Sequence, residues 1–73
     1  MKNRVKELRQ TLDWTQEDLA QHIGVSRQTI NAIEKEKFDP SLVTAFKMAA
    51  CFQVTIEELF DFQKNQEYKL TVF

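Results

Sequence analysis

Seventy-three residues, 42% hydrophobic and 29% charged, suit one domain near the lower size at which a core holds without staples, and exclude a chain disordered throughout. The lone Cys51 excludes an internal disulfide, and no apolar run approaches the roughly 20 residues of a membrane span, so a cytoplasmic protein without a secretory leader is expected. The formal net charge of -1 hides an uneven layout: residues 1–37 carry seven basic and six acidic side chains, residues 38–73 three and five.

In chain order, Val5, Leu8 and Leu12 recur at helical spacing and predict a first helix over residues 3–12. Thr15 then stands where an N-cap is expected, with Asp18 three residues on, and Trp14 and Leu19 are placed as a hydrophobic staple. The second helix carries Leu19, Ala20 and Ile23 and should stop at Gly24, the residue that enters positive φ with least strain. Val25 follows as a buried linker, and Ser26 caps a third helix with Ile30 and Ile33 inside. Pro40 fits the opening turn of a fourth helix capped by Asp39 or Ser41, with a core stripe of Leu42, Ala45, Met48, Ala49 and Phe52. Thr55 and Glu58 form a second capping box, and Val54 and Leu59 a second staple, opening a fifth helix to about Phe62. Beyond Gln63 to Glu67, alternation of Tyr68, Leu70 and Val72 with Lys69 and Thr71 predicts a short C-terminal strand, for which the chain holds no second strand as a mate.

The segment with most chemical content is Thr15 to Glu34, TQEDLAQHIGVSRQTINAIE. Two short helices joined at a single glycine, with a small Ala20 where they must cross closely, predict a helix-turn-helix. Its second helix would carry Arg27, Gln28 and Asn31 outward, flanked by Thr29, able to enter a major groove about 12 Å wide. Arg can grip guanine O6 and N7 with two hydrogen bonds, and Gln and Asn can do the same with adenine N6 and N7. Singly these are ordinary solvated residues; their coincidence with the turn, the caps and the apolar spacing gives them weight.

Over residues 4–62, and most closely over Leu12 to Ile33, the sequence resembles the lambda-repressor and Cro-like (XRE) helix-turn-helix family. The resemblance implies an all-α, five-helix DNA-binding domain over residues 1–62; separately, the alternation in the tail at 63–73 makes it a candidate dimerisation strand. It implies base reading by Arg27, Gln28 and Asn31, with Ala32 at a later reading position where it can only pack on a thymine methyl. Phosphate contacts are implied for Gln16, Ser26, Thr29, Lys35 and Lys37, and a structural pair for Arg9 and Glu34. One departure stands out: Glu36 occupies the place of a family glycine, so either it adopts the helix-ending conformation or the loop differs.

No other cluster competes. His22 has no second histidine or nearby cysteine to share a metal, and Glu57 and Glu58 sit in a first helical turn where the helix dipole favours negative charge. Cys51, beside Ala49, Ala50 and Phe52, reads as a small packing residue. The expected function is therefore a non-enzymatic, sequence-specific transcription regulator: a repressor on a palindromic operator in double-stranded DNA, acting as a homodimer, with no cofactor, metal or small-molecule ligand. The alternative is a protein-interaction module such as an antitoxin or anti-regulator. Phe46 with Val43, and Phe60 with Phe62, exceed what so small a core can cover and point to a partner surface.

Overall fold

Within residues 1–60, the part of the chain that the computed structural model describes, five helices follow one another. They are α1 (Val5–Thr11), α2 (Gln16–Ile23), α3 (Arg27–Glu34), α4 (Leu42–Phe52) and α5 (Ile56–Leu59). The described residues contain no strand, so the fold is all-α as expected. The candidate strand Tyr68 to Phe73 and the domain boundary at residue 62 lie outside them.

Hydroxyl side chains start α2 to α5. Thr15, Ser26, Ser41 and Thr55 each accept the backbone N–H three residues on, satisfying a donor that the first turn leaves unpaired. At Thr15 and Thr55 the bond is reciprocated by Asp18 and Glu58, completing both capping boxes. In α1, Arg4 supplies no such bond; Asn3 Oδ1 accepts from Val5 N–H (3.0 Å) in its stead, while Asn3 Nδ2 donates to the Ile33 carbonyl (2.9 Å). One asparagine thus caps α1 and ties it to the end of α3.

The first four helices end on residues in the left-handed region: Asp13 (φ 58°), Gly24 (φ 87°), Glu36 (φ 62°) and Gln53 (φ 57°). After α3, Glu36 N–H donates to the Ile33 carbonyl and Lys37 N–H to the Ala32 carbonyl, the two-bond closure of a Schellman turn. Gln53 and Val54 repeat that pattern on Ala50 and Ala49 after α4. Glu36 therefore takes the helix-ending conformation in place of a glycine.

The core sits where α2, α3 and α4 meet, sealed by α1 and α5. Val5, Leu19, Ile30, Ile33, Met48 and Leu59 are fully buried, with Ala20 and Ile23 beside them. Arg4 N–H donates to the Leu59 carbonyl at 2.9 Å and so holds α1 against α5.

Four expectations need correction. Helix α5 ends at Leu59, where Phe60 turns extended, rather than running to about Phe62. Helix α1 ends at Thr11, and Leu12 lies beyond it, 45% exposed rather than in the core. Pro40 precedes the cap of α4 rather than opening the helix, because Ser41 Oγ takes the Thr44 N–H at 3.1 Å while Asp39 binds the N-terminal ammonium at 3.0 Å. Leu42 continues the Ala45–Met48–Ala49 stripe in sequence but is 70% exposed, and the buried part of α4 begins at Ala45.

Candidate nucleic-acid interface

Helices α2 and α3 are joined by Gly24, Val25 and Ser26. The Gly24 and Val25 N–H groups both donate to the Ala20 carbonyl (2.8 and 3.1 Å), which folds the chain back at the left-handed glycine. Ala20 itself is buried, a small side chain in a helix that packs closely on its successor. This sets one side of α3, Ile30 and Ile33, into the core and turns the other side out.

At about 100° per residue, Arg27, Asn31 and Gln28 fall within one arc of about 100° on the side away from Ile30 and Ile33. Arg27 and Gln28 are exposed; Asn31, between them on the arc, is half-buried, as are Ala32 and Thr29 beyond Gln28. Ser26 Oγ accepts the Thr29 N–H at 3.1 Å and lies 2.9 Å from Thr29 Oγ1. Whichever hydroxyl donates to the other, one hydroxyl proton remains available to a ligand at the start of the helix.

Behind this face runs a polar chain. Arg9 and Glu34 form a two-bond ion pair, Nε to Oε2 at 2.7 Å and Nη2 to Oε1 at 3.1 Å, with side chains only 10% and 4% exposed. Arg9 Nη1 also donates to the Trp14 carbonyl at 2.7 Å, so the pair ties α1, the α1–α2 turn and α3 together, as the resemblance implied. Gln16, half-buried in the first turn of α2, extends the chain: its Nε2 donates to Glu34 Oε1 (3.1 Å) and to Asn31 Oδ1 (3.2 Å). Sequence reasoning missed this connection. Its members lie 15 and 18 residues from Gln16, and no spacing rule pairs side chains on different helices.

The structure also sorts the basic residues. Arg9 is buried with Glu34, and Arg4 is held by Glu7 at 2.7 Å, a contact that raises the Arg4 pKa; neither pair leaves a cation facing outward on α3. Arg27, Lys35 and Lys37 are exposed on α3 and the turn after it, with exposed Glu36 between the two lysines. None of the ion pairs above uses them.

The remaining candidates find structural roles. The His22 ring stacks on Trp14 (centroids 4.1 Å apart, planes 21° apart), with Nδ1 2.9 Å from the Asp18 carbonyl oxygen. Cys51 is half-buried, and loss of solvent pushes its thiol pKa up, away from the reactive thiolate. Glu58 is occupied by its capping box. Among the described residues no helix is long and apolar enough to cross a membrane.

A buried inner face, a glycine turn and an outward polar stripe define a helix-turn-helix, and comparison with known proteins agrees. Residues 5–59, from the first residue of α1 to the last of α5, match the helix-turn-helix family model, and the chain belongs to that family. An uncharacterized HTH-type transcriptional regulator of Methanocaldococcus jannaschii is 54% identical over 66 residues, covering 90% of this chain and 100% of the relative. The cryptic phage CTXphi transcriptional repressor RstR of Vibrio cholerae is 38% identical over 69 residues, 93% of this chain and 62% of its own. Among solved structures, the restriction-modification controller protein C.AhdI of Aeromonas hydrophila superposes with a TM-score of 0.71 at 33% identity, covering 78% of this chain and 86% of that one. The protein is thus a DNA-binding transcription regulator of the XRE type, a non-enzymatic class.

Proposed function

We propose that the protein is a repressor that binds a palindromic operator in double-stranded DNA as a homodimer. The observation that carries this reading is the outer stripe of α3, where Arg27, Gln28 and Asn31 share one arc opposite two fully buried isoleucines. Placed in the major groove, Arg27 and Gln28 reach base edges from the first turn and Asn31 from the next. The hydrogen-bonded Ser26–Thr29 hydroxyl pair offers one free donor to phosphate, and Lys35 and Lys37 offer charge from the following turn. At Gln16 the backbone N–H belongs to the first turn of α2, where helix geometry leaves donors for an anion and the macrodipole favours one.

Dimerisation is supported by the surface of α4. Leu42, Val43 and Phe46 are more than half exposed, and Leu42 borders a groove of about 440 Å³ lined also by Met1, Pro40, Ala45, Ile56 and Phe60. A two-fold dimer would set two copies of α3 about 34 Å apart, one turn of duplex, and double the sequence read. Repression is the role of the Vibrio phage relative, and occlusion of a promoter needs only tight, specific binding.

Retention of genomic fragments, the protein's own promoter region among them, at about 150 mM salt with competitor DNA tests the reading. Selective retention that falls steeply as salt rises, and disappears in the folded Arg27→Ala, Gln28→Ala double variant, is the expected result. A folded dimer that retains no fragment selectively would instead favour the protein-interaction role.

A further inference from the structure

Two apolar grooves meet on the outer side of α4, and both have Leu42 and Glu57 in their walls. One, of about 440 Å³, also holds Met1 and Phe60. The other, of about 570 Å³, runs between Phe46, Ala49 and Ala50 on α4 and Val54 to Glu57 at the start of α5. Phe46 stands beside it as a ridge, 57% exposed, with Leu42 one turn earlier and exposed Val43 next to it. At about 100° per residue, Ala49 lies about 60° to one side of Phe46 and Lys47 about 100° to the other. Across α4 the face therefore has a fixed order: Glu57 on α5, the groove, the Leu42–Phe46 ridge, then Lys47. Lys47 and Glu57 are both exposed, and neither takes part in an ion pair among the described residues.

A ridge beside a groove, flanked by one charge of each sign, is self-complementary. A two-fold axis lying in this face and running alongside α4 reverses the order for the second copy. Its groove then comes over the first copy's ridge and its Glu57 over the first copy's Lys47, and the same holds the other way round. An axis across α4 would instead set ridge on ridge and the basic flank on the basic flank, leaving the grooves open.

We infer that Phe46 of each copy seats in the α4–α5 groove of the other, and that Lys47 of each pairs with Glu57 of the other. The inference rests on the proposed homodimer and adds its register. A second copy is favoured over a foreign partner because the groove, the side chain that fills it and both charges stand on one chain. The apolar centre supplies most of the attraction, while the rim charges select the orientation in which the two copies meet.

The test is sedimentation of the full chain at about 0.1 M salt, where a Debye length of about 10 Å leaves a direct pair unscreened. Wild type, Lys47→Glu, Glu57→Lys and the double variant are compared. Each single change sets like charges together twice in a two-fold dimer and should raise the dissociation constant by about tenfold or more. The double exchange restores opposite charges and should return the constant to within about threefold of the wild-type value. Mixing the two single variants adds a test in trans. One copy then carries only acid at the two positions and the other only base, so a heterodimer should form at concentrations where either variant alone is monomeric.

Single variants that dimerise like the wild type, a double variant weaker than either single, or a mixture that stays monomeric overturns the pairing, and a wild-type dimer would then need another register. A wild type that is monomeric at the concentrations where it retains DNA overturns the homodimer and this inference with it. Should Glu57→Lys unfold the start of α5 by circular dichroism, the neutral variants Lys47→Gln and Glu57→Gln decide. Each should weaken the dimer by about threefold and the two together no further, whereas additive losses overturn the pairing.

Discussion

Single residues carry unequal shares of this structure, and the Arg9–Glu34 pair carries one of the largest. Exchanging a well-placed buried ion pair for apolar groups can be neutral, but removing one partner strands a charge with no water to solvate it. Glu34→Ala strands the Arg9 guanidinium and also frees the Gln16 amide. It should lower unfolding free energy by about 3–5 kcal/mol, read as a lower urea midpoint at unchanged slope. Arg9→Met, Glu34→Leu together should recover much of that loss, since no charge is then left buried without a partner. The family resemblance made this pair legible in the sequence. It did not reveal Gln16, because a contact between side chains on separate helices depends on a crossing geometry that periodicity cannot express.

At the scale of elements, the helix starts were legible and the helix ends less so. Thr15, Ser26 and Thr55 cap as their spacing predicts, because an N-cap is a local bond between near neighbours in sequence. Stops are harder to see when the left-handed residue is not glycine: Gly24 announces itself and the family resemblance marks Glu36, whereas nothing in the sequence marks Asp13 or Gln53. A side chain there carries a steric penalty on the order of 1–2 kcal/mol, partly offset by the entropy that a glycine loses on folding. Glu36→Gly should therefore stabilise the domain by about 0.5–1 kcal/mol in urea unfolding, and Gln53→Gly by a similar amount. Glu36→Gly should also tighten DNA binding, since it removes a negative charge between Lys35 and Lys37, and Gln53→Gly should not. The capping boxes set an acid limit as well. The backbone N–H of Thr15, then its hydroxyl, lowers the Asp18 pKa, and the corresponding groups of Thr55 lower that of Glu58. A lowered folded pKa means fewer protons bound in the folded state, so this stabilisation is complete above the unfolded carboxylate value of about 4 and is lost as pH falls through the folded values. Thermal midpoints should drop as the medium is acidified through that window, and less steeply in Asp18→Asn, Glu58→Gln, whose amide oxygens can still accept the capping bonds.

For the molecule as a whole, the net charge misleads about DNA while the distribution of exposed groups does not. A chain of formal charge -1 presents Arg27, Lys35 and Lys37 around one face and withdraws Arg9 into its interior. Phosphate responds to that local field rather than to the sum. The apolar surplus is distributed as unevenly. It gathers on the outer side of α4, where Phe46 is 57% exposed and Val43 and Leu42 more so, while the inner side of the same helix buries Met48 and Ala49. This exposure was foreseen for Phe46 and Val43 from the excess of aromatics, and missed for Leu42, because a helical stripe says which side faces inward but not how far along the helix the core reaches. If α4 forms the dimer contact, Phe46→Glu should raise the dimer dissociation constant by about tenfold or more, since a charge at the centre of an apolar contact loses its solvation on association. The fold should survive, because Phe46 contributes little to the core of the monomer, and circular dichroism should be unchanged. Sedimentation then gives the oligomeric state and a half-site duplex gives the DNA contact. Loss of the dimer with half-site binding intact would place the contact on α4, whereas an undiminished dimer would move it elsewhere, with the segment Tyr68 to Phe73 as the next region to test.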